Sequence, residues 1–195
     1  MARTSRADTA RTHQRILTQA SEAFRQGGVP GVSIPALMKA VGLTHGTFYA
    51  HFASKEALVV ETCAQGFDEV IDGLLRPAEQ AREDQKLDAV LDTYLSTAHR
   101  DDPGHGCFLP ALAAEIRRES PPVRHAFSDA LKRYFGRLAA VLPKPAAEIR
   151  QDRELVLASG MVGAIVLARA VDDPALSDRI LRACRNFYSE AFAEE

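Results

Sequence analysis

Apolar residues recur at helical spacing along almost the whole of this 195-residue chain, and the alternating pattern of strands is nearly absent. In the segment from Thr9 to Gly27, for example, Ile16, Ala20 and Phe24 fall on one helical face. Polar, glycine-rich or proline-rich breaks separate such segments, as in DDPGHG at 101–106. We therefore predict an all-α fold with about nine or ten helices.

Two short helices joined by a glycine turn are predicted between residues 33 and 52. Ser33 can cap the first helix, which runs to about Val41, and Gly42 suits the left-handed residue that ends it. Thr44 can cap a very short second helix. This order of elements is the helix-turn-helix pattern, whose second helix reaches base edges and phosphates in DNA-binding proteins. The polar, aromatic and imidazole side chains on that second helix are Thr44, His45, Thr47, Tyr49 and His51.

The charge distribution agrees with a nucleic-acid-binding head. Residues 1–60 contain seven Lys and Arg residues against three Asp and Glu residues, although the whole chain carries a net charge of −2. Basic residues supply most of the non-specific affinity for phosphates. The asymmetry is a weak signal by itself and gains weight only beside the helix-turn-helix.

Residues 33–58, with the sequence SIPALMKAVGLTHGTFYAHFASKEAL, resemble the signature of the TetR family of one-component repressors. The resemblance rests on the aromatic pair Phe48-Tyr49, on Phe52 and on the SKEAL start of the next helix, and it covers about residues 9–69. It implies a three-helix DNA-binding head at 9–69, followed by a helical effector-binding and dimerisation body at 70–195.

The resemblance also implies roles for single residues. The residues that it places against the phosphate backbone are Ser33, Thr44, Tyr49 and Lys55. The residues that it places at the bases are His45 and Thr47, while His51 contacts either a phosphate or a base. The alternatives are that His51 is a solvated histidine and Tyr49 an ordinary surface aromatic residue.

The last two helices are predicted at about 147–171 and 175–193. The stretch from Leu155 to Ala168 is apolar nearly all round, so it must be covered on more than one side, and Gly160 and Gly163 allow close backbone approach. In the resembled family, the last two long helices form a two-fold four-helix interface. We therefore predict a homodimer through these helices, the alternative being an intramolecular bundle.

The resemblance implies an effector pocket among the middle helices, at about 86–142. The apolar candidates for its lining are Phe67, Leu95, Phe108, Leu112, Phe127, Leu131 and Tyr134. Each of these residues can equally be plain core. The resemblance does not carry over the chemistry of the effector.

Cys107 is predicted at the start of a helix and close to His105 in sequence, a setting that favours the thiolate. A Gly-Cys step here resembles a subgroup of TetR-like regulators, some of which sense oxidants or electrophiles. The alternative is a small buried apolar residue, which is also the interpretation for Cys63 and Cys184.

Several other classes find little support in the sequence. No CxxC pair, HExxH motif, glycine-rich phosphate loop or Ser-His-Asp order appears, so neither a metal site, a cofactor nor an enzyme is predicted. The longest apolar stretch has 14 residues and the first residues lack an apolar run, so we expect a cytoplasmic protein without a membrane span. An activator of the same fold, or a helical adaptor that does not bind DNA, remains an alternative to a repressor.

Overall fold

The computed structural model describes residues 6–142 and 152–193, and every regular element in those two ranges is helical. The α-helices are α1 Arg6–Gly31, α2 Ile34–Ala40, α3 His45–Phe48, α4 Lys55–Gln80, α5 Lys86–Tyr94, α6 Thr97–Asp101, α7 Phe108–Ile116, α8 Pro121–Val141, α9 Arg153–Ala170 and α10 Pro174–Ala193. One 3₁₀ turn, Glu83–Gln85, precedes α5. The predicted all-α class is confirmed.

Helix α1 changes direction at Gly28, where φ is +72° and ψ is 164°. Glycine adopts this left-handed backbone without a Cβ penalty. The sequence predicted a helix end here and a loop through Val29, Pro30 and Gly31. The structure instead forms a further helical turn, because Pro30 lies just after the kink, where its missing N–H costs no helical hydrogen bond.

The head is a small bundle of α1, α2, α3 and the start of α4. Its core contains the predicted α1 face, completed by residues from the following helices. The fully buried members are Ile16, Ala20, Phe24, Leu37, Met38, Phe48 and Phe52. Each large side chain in such a core contributes about 1.5–3 kcal/mol of transfer free energy. Tertiary burial therefore holds the four-residue α3 in place, since an isolated helix of that length is unstable.

Helix α4 belongs to both the head and the body. It has 26 residues, or a length of about 39 Å, and its most extensive packing is against α8. Arg133 and Arg137 of α8 form ion pairs along it with Asp68 and Asp72. The predicted domain boundary at 69/70 falls inside this helix, so the head and the body share one continuous element.

The body core lies between α4, α5, α7, α8 and the two final helices, α9 and α10. These two helices pack closely on each other and run antiparallel. A Cβ at Gly160 would collide with the Tyr188 ring, so this glycine allows the close approach that the sequence predicted. Gly163 has no neighbour within 4 Å and does not serve that purpose in the chain. Helix α9 begins at Arg153, and the first part of the predicted 147–171 helix lies outside the described residues.

None of the helices in the described ranges has the length and apolar character to cross a membrane.

Candidate nucleic-acid interface

The helix-turn-helix between residues 33 and 52 has the local geometry that its sequence predicts. The Ser33 hydroxyl oxygen accepts a hydrogen bond from Ala36 N at 3.3 Å and so caps α2, and Pro35 lies in the first turn of that helix. Gly42 has φ +71° and begins the turn into α3. A second cap at Ser54, which accepts from Ala57 N at 3.0 Å, starts α4.

Tyr49 projects from the end of α3 into solvent. Its side chain is 57% exposed, whereas its neighbour Phe48 is fully buried. The Tyr49 ring meets the rings of Phe48 and His45 edge to face, with centroid distances of 5.3 and 5.5 Å. Phe48 anchors the helix, and the exposed ring is held in a fixed direction for an external contact.

The hydroxyls of Thr44 and Thr47 bond to each other at 2.8 Å. Thr44 occupies the N-cap position of α3, but its side chain caps no backbone N–H, so the prediction that Thr44 caps this helix is wrong. The pairing leaves one of the two hydroxyl protons free to donate to an outside acceptor. His45, Thr44 and the backbone of Gly46 are all exposed on this side of the helix.

Lys55 reaches back from the first turn of α4 to α1, where its Nζ donates to the Val29 carbonyl oxygen at 2.5 Å. Its other two ammonium protons remain available as donors to a phosphate. Ser33 is exposed while it caps α2, whereas Lys55 is half-buried, and the Ser33 hydroxyl proton can donate outward.

His51 is only half-exposed and lies near a second histidine. Its ring centroid is 5.9 Å from that of His13, which stacks on Phe52 and bonds Glu61 Oε2 at 2.7 Å. Burial, followed by the charge of His13, lowers the pKa of His51. The lowered pKa favours the neutral ring, which can donate one hydrogen bond and accept another.

Arg15 supports the turn, a role that the sequence analysis missed. Its guanidinium donates to the Val41 carbonyl oxygen at 2.8 Å and satisfies the C-terminal end of α2. An arginine next to the buried face of α1 indicates a side chain that can reach a neighbouring element. Its partner, however, lies 26 residues away and cannot be recognised from spacing.

The candidate effector residues form a packed core. Phe67 stacks on Phe108 at 5.4 Å and meets Phe127 edge to face at 5.3 Å. The buried residues of the candidate set are Phe67, Leu95, Phe108, Leu112, Phe127 and Tyr134. Leu131 is half-buried and lines a small apolar pocket of about 140 Å³ together with residues of α7 and α9, including Leu109 and Val162. The structure brings three aromatic rings of the set, Phe67, Phe108 and Phe127, into contact.

Cys107 lies at the N-cap of α7, as predicted, and its sulfur accepts a long hydrogen bond of 3.5 Å from Leu109 N. The expected preference for the thiolate is wrong. Burial raises the pKa of the Cys107 thiol and outweighs the opposite effects of the Tyr94 hydroxyl and of Arg25. The effect of a helix N-terminus is small beside the cost of desolvating a charge.

The histidine that acts on this segment is His99 and not His105. His105 is exposed and bonds the Asp102 carboxylate at 2.9 Å. His99 Nδ1 donates to the Tyr94 carbonyl oxygen at 2.6 Å, and its Nε2 accepts from Cys107 N at 3.0 Å. These partners require a neutral ring with its proton on Nδ1, and burial lowers the pKa of His99 in the same direction.

The other two cysteines differ in burial. Cys63 is buried, and desolvation raises the pKa of its thiol to about 12. Cys184 is half-buried and its thiol lies 3.7 Å from the Gly160 carbonyl oxygen. Both pack against the core as the sequence predicted.

The last two helices carry an exposed apolar face. Four large apolar side chains there are between 42% and 63% exposed, namely Val156, Val166, Leu167 and Phe187. The only other large apolar side chain with such exposure among the described residues is Tyr49 on α3. Exposed apolar groups concentrated on two neighbouring helices are typical of an interaction surface.

A helix-turn-helix head with an exposed α3, joined by a shared helix to an all-helical body, is the architecture of a one-component regulatory protein. Residues 16–62 match the family described as bacterial regulatory proteins, tetR family, and residues 84–184 match the tetracyclin repressor-like C-terminal domain. The chain belongs to the TetR family.

The relatives agree with this assignment. The HTH-type transcriptional regulator UidR of Escherichia coli is 31% identical over 88 residues, which are 45% of this chain and 43% of UidR. The match thus spans less than half the length of this curated relative. A TetR-family regulator from Cytophaga hutchinsonii has the same fold, with a TM-score of 0.76 and 21% identity over 95% of this chain and 96% of that one. A regulator from Saccharomonospora viridis in complex with choline covers 91% of this chain and 95% of its own, with a TM-score of 0.69 and 17% identity.

Proposed function

We propose that this chain is a dimeric, cytoplasmic transcriptional repressor, whose two heads bind the half-sites of an operator and which a small-molecule effector releases. The exposed Tyr49 ring beside the Thr44–Thr47 pair is the observation that carries DNA binding. The ring is 57% exposed and rests against buried Phe48, so it is placed among hydrogen-bonding groups where it can contact an external partner.

The proposed contacts follow from the positions of the side chains. Ser33 and Lys55 lie at the starts of α2 and α4, and both have protons left to donate to phosphates. Thr44 and Tyr49 flank α3 and would hold the backbone on either side of the groove. His45 and Thr47 would read bases, with His51 as a neutral hydrogen-bonding neighbour.

The exposed face of α9 and α10 supports the dimer. A stable interface buries about 1,200–2,000 Å² in total, with aromatic and aliphatic anchors near its centre. Phe187 and Leu167 are suitable anchors, since both are more than half exposed in the single chain. Two-fold symmetry would present two heads to a palindromic operator, whose half-sites lie about 34–36 Å apart or at a multiple of that distance.

Effector binding belongs to the body. The choline complex of the similar Saccharomonospora viridis regulator supports ligand binding by a protein of this fold. The Phe67–Phe108–Phe127 cluster and the small pocket beside Leu131 are the proposed lining. Because that pocket is small, an effector would have to displace packed side chains, which is a population shift between two body conformations.

Two measurements test the proposal. Sedimentation at micromolar concentration should show a dimer for the parent chain and a monomer for Phe187→Asp. The control Ser128→Asp, at an exposed position of α8, should remain a dimer. A gel shift with DNA from upstream of the chain's own gene should show binding that excess random duplex does not remove, and deletion of the gene should raise transcription from that DNA. A monomeric parent chain, or transcription that falls on deletion, would contradict the dimer or the repressor respectively.

A further inference from the structure

The short turn after Gly28 is one place where the body contacts the backbone of the DNA-binding head. Glu115 of α7 accepts a hydrogen bond from Val29 N at 3.0 Å through its Oε2. A Cβ at Gly28 would collide with that carboxylate, so the glycine both adopts the left-handed backbone and admits Glu115. Val29 and Glu115 are 86 positions apart in sequence.

Val29 is also held by a side chain of the head, that of Lys55. The Val29 carbonyl oxygen accepts from Lys55 Nζ at 2.5 Å, and the Val29 side chain is buried. One backbone residue is therefore fixed by a carboxylate from α7 and by an ammonium group from α4. Hydrogen bonds with one ionised partner are about twice as strong as neutral ones, so this connection is stiffer than an ordinary turn.

Helix α7 links this connection to the body core. Phe108 and Leu112 lie on α7 about two turns and one turn before Glu115, respectively, and both are buried in the core that contains Phe67 and Phe127. A second contact fixes the same two helices to each other, since the Arg25 guanidinium lies 4.8 Å above the Phe108 ring. A displacement of α7 therefore acts on the hydrogen bond between Glu115 and Val29 N.

We propose that Glu115 is a positioning residue for DNA binding, which sets the location of the Lys55 ammonium group through the backbone of Val29. The proposal rests on the proposed function, because it requires that the head binds DNA and that Lys55 contacts a phosphate. Motion of α7 in the body then changes the contact between Lys55 and the DNA backbone. Glu115 itself touches no DNA in this scheme.

The test is a double-mutant cycle on the full-length chain with a fluorescent random-sequence 30-base-pair duplex, at several salt concentrations. Lys55→Met should weaken binding by roughly tenfold and lower the salt slope by about 0.9 for each lysine lost. Glu115→Ala should weaken binding by about fivefold, and Glu115→Gln by less, because an amide oxygen still accepts from Val29 N. The double variant Glu115→Ala/Lys55→Met should bind within about twofold of Lys55→Met alone.

Glu83→Gln is the matched control. It removes one carboxylate charge from the 3₁₀ turn that follows α4, beyond the end of a helix about 39 Å long that begins at Lys55, and should leave affinity and salt slope unchanged. Thermal unfolding of each variant without DNA separates a loss of folded protein from a loss of positioning. Hydrogen exchange at the Val29 amide should be faster in Glu115→Ala than in the parent.

Three results would overturn the inference. Losses that multiply in the double variant would mean that Glu115 acts independently of Lys55. A folded Glu115→Ala variant that binds like Glu83→Gln, or a Lys55→Met variant that binds like the parent, would remove the connection altogether. A parent chain that binds no duplex would instead overturn DNA binding itself, and that outcome is visible before any variant is made.

Discussion

The head and the body both expose large apolar side chains, but they do so in different surroundings. In the head, exposed Tyr49 lies among hydrogen-bonding groups such as the Thr44–Thr47 pair and His45. In the body, exposed Leu167 and Phe187 lie on the two final helices. The first surroundings suit a hydrated, charged partner such as DNA, whereas the second suit another apolar protein surface.

The interiors of the two regions also differ in what they reveal about function. The head core only holds α3 in place, and the functional groups are on the outside. In the body, most of the candidate effector residues are themselves the core, so stability and the proposed ligand binding would depend on the same side chains. Matched truncations of one aromatic residue in each region should therefore give opposite results.

The largest effect is expected in the body. Phe108→Ala removes a ring that is stacked on Phe67 and lies under the Arg25 guanidinium. The lost burial and the resulting cavity should lower the free energy of unfolding by about 3–5 kcal/mol. Urea denaturation followed by circular dichroism, at a fixed protein concentration, measures this change. A loss below about 1 kcal/mol would show that the cluster is already loosely packed in solution.

A smaller effect of the opposite kind is expected in the head. Tyr49→Ala should leave the free energy of unfolding within about 0.5 kcal/mol of the parent, because the ring is mostly exposed. Its affinity for duplex DNA should fall by roughly tenfold, which corresponds to about 1.4 kcal/mol. Fluorescence anisotropy gives the affinity, and Tyr49→Phe separates the ring from the hydroxyl. Unchanged affinity in Tyr49→Ala would remove this residue from the interface.

Effects of similar or smaller size are expected at two glycines within the head itself. Gly42→Ala should cost about 1–2 kcal/mol of stability, since φ is +71° although the space around it is open. Gly46→Ala should instead stabilise the protein by roughly 0.5–1 kcal/mol, because Gly46 lies in α3 with only the Thr44 hydroxyl as near as 4.0 Å. Thermal unfolding of the two variants without DNA compares them directly. Equal stabilities would mean that the turn at Gly42 is not held in the left-handed conformation.

The sequence predicts the head better than the body for a physical reason. Ser33, Gly42 and Ser54 act on backbone within three or four residues, so their caps and turns can be recognised from local spacing. The hydrogen bond from Val29 to Glu115 spans 86 residues, and no local pattern indicates it.

At Cys107, likewise, local sequence predicts the position of the residue but not its chemical environment. Its place at the start of α7 was predictable, but the pKa of its thiol depends on burial by helices that are distant in sequence. The prediction that the Thr44 side chain caps α3 is wrong because its hydroxyl bonds the Thr47 hydroxyl and not the backbone. Competition between two nearby hydrogen-bond partners is decided by side-chain rotamers, which spacing does not determine.

Because α4 is continuous, a small tilt at one end of it produces a larger displacement at the other end. A rod of about 39 Å that tilts by roughly 5° about its body end moves its other end by about 3.4 Å, close to the rise of one base pair along DNA. In the proposed operator complex, a small rearrangement of the body would thus produce a misfit of about one base pair at each half-site. In a symmetric pair the two displacements add, so a rigid shared helix turns a small angular change into a large change in reach.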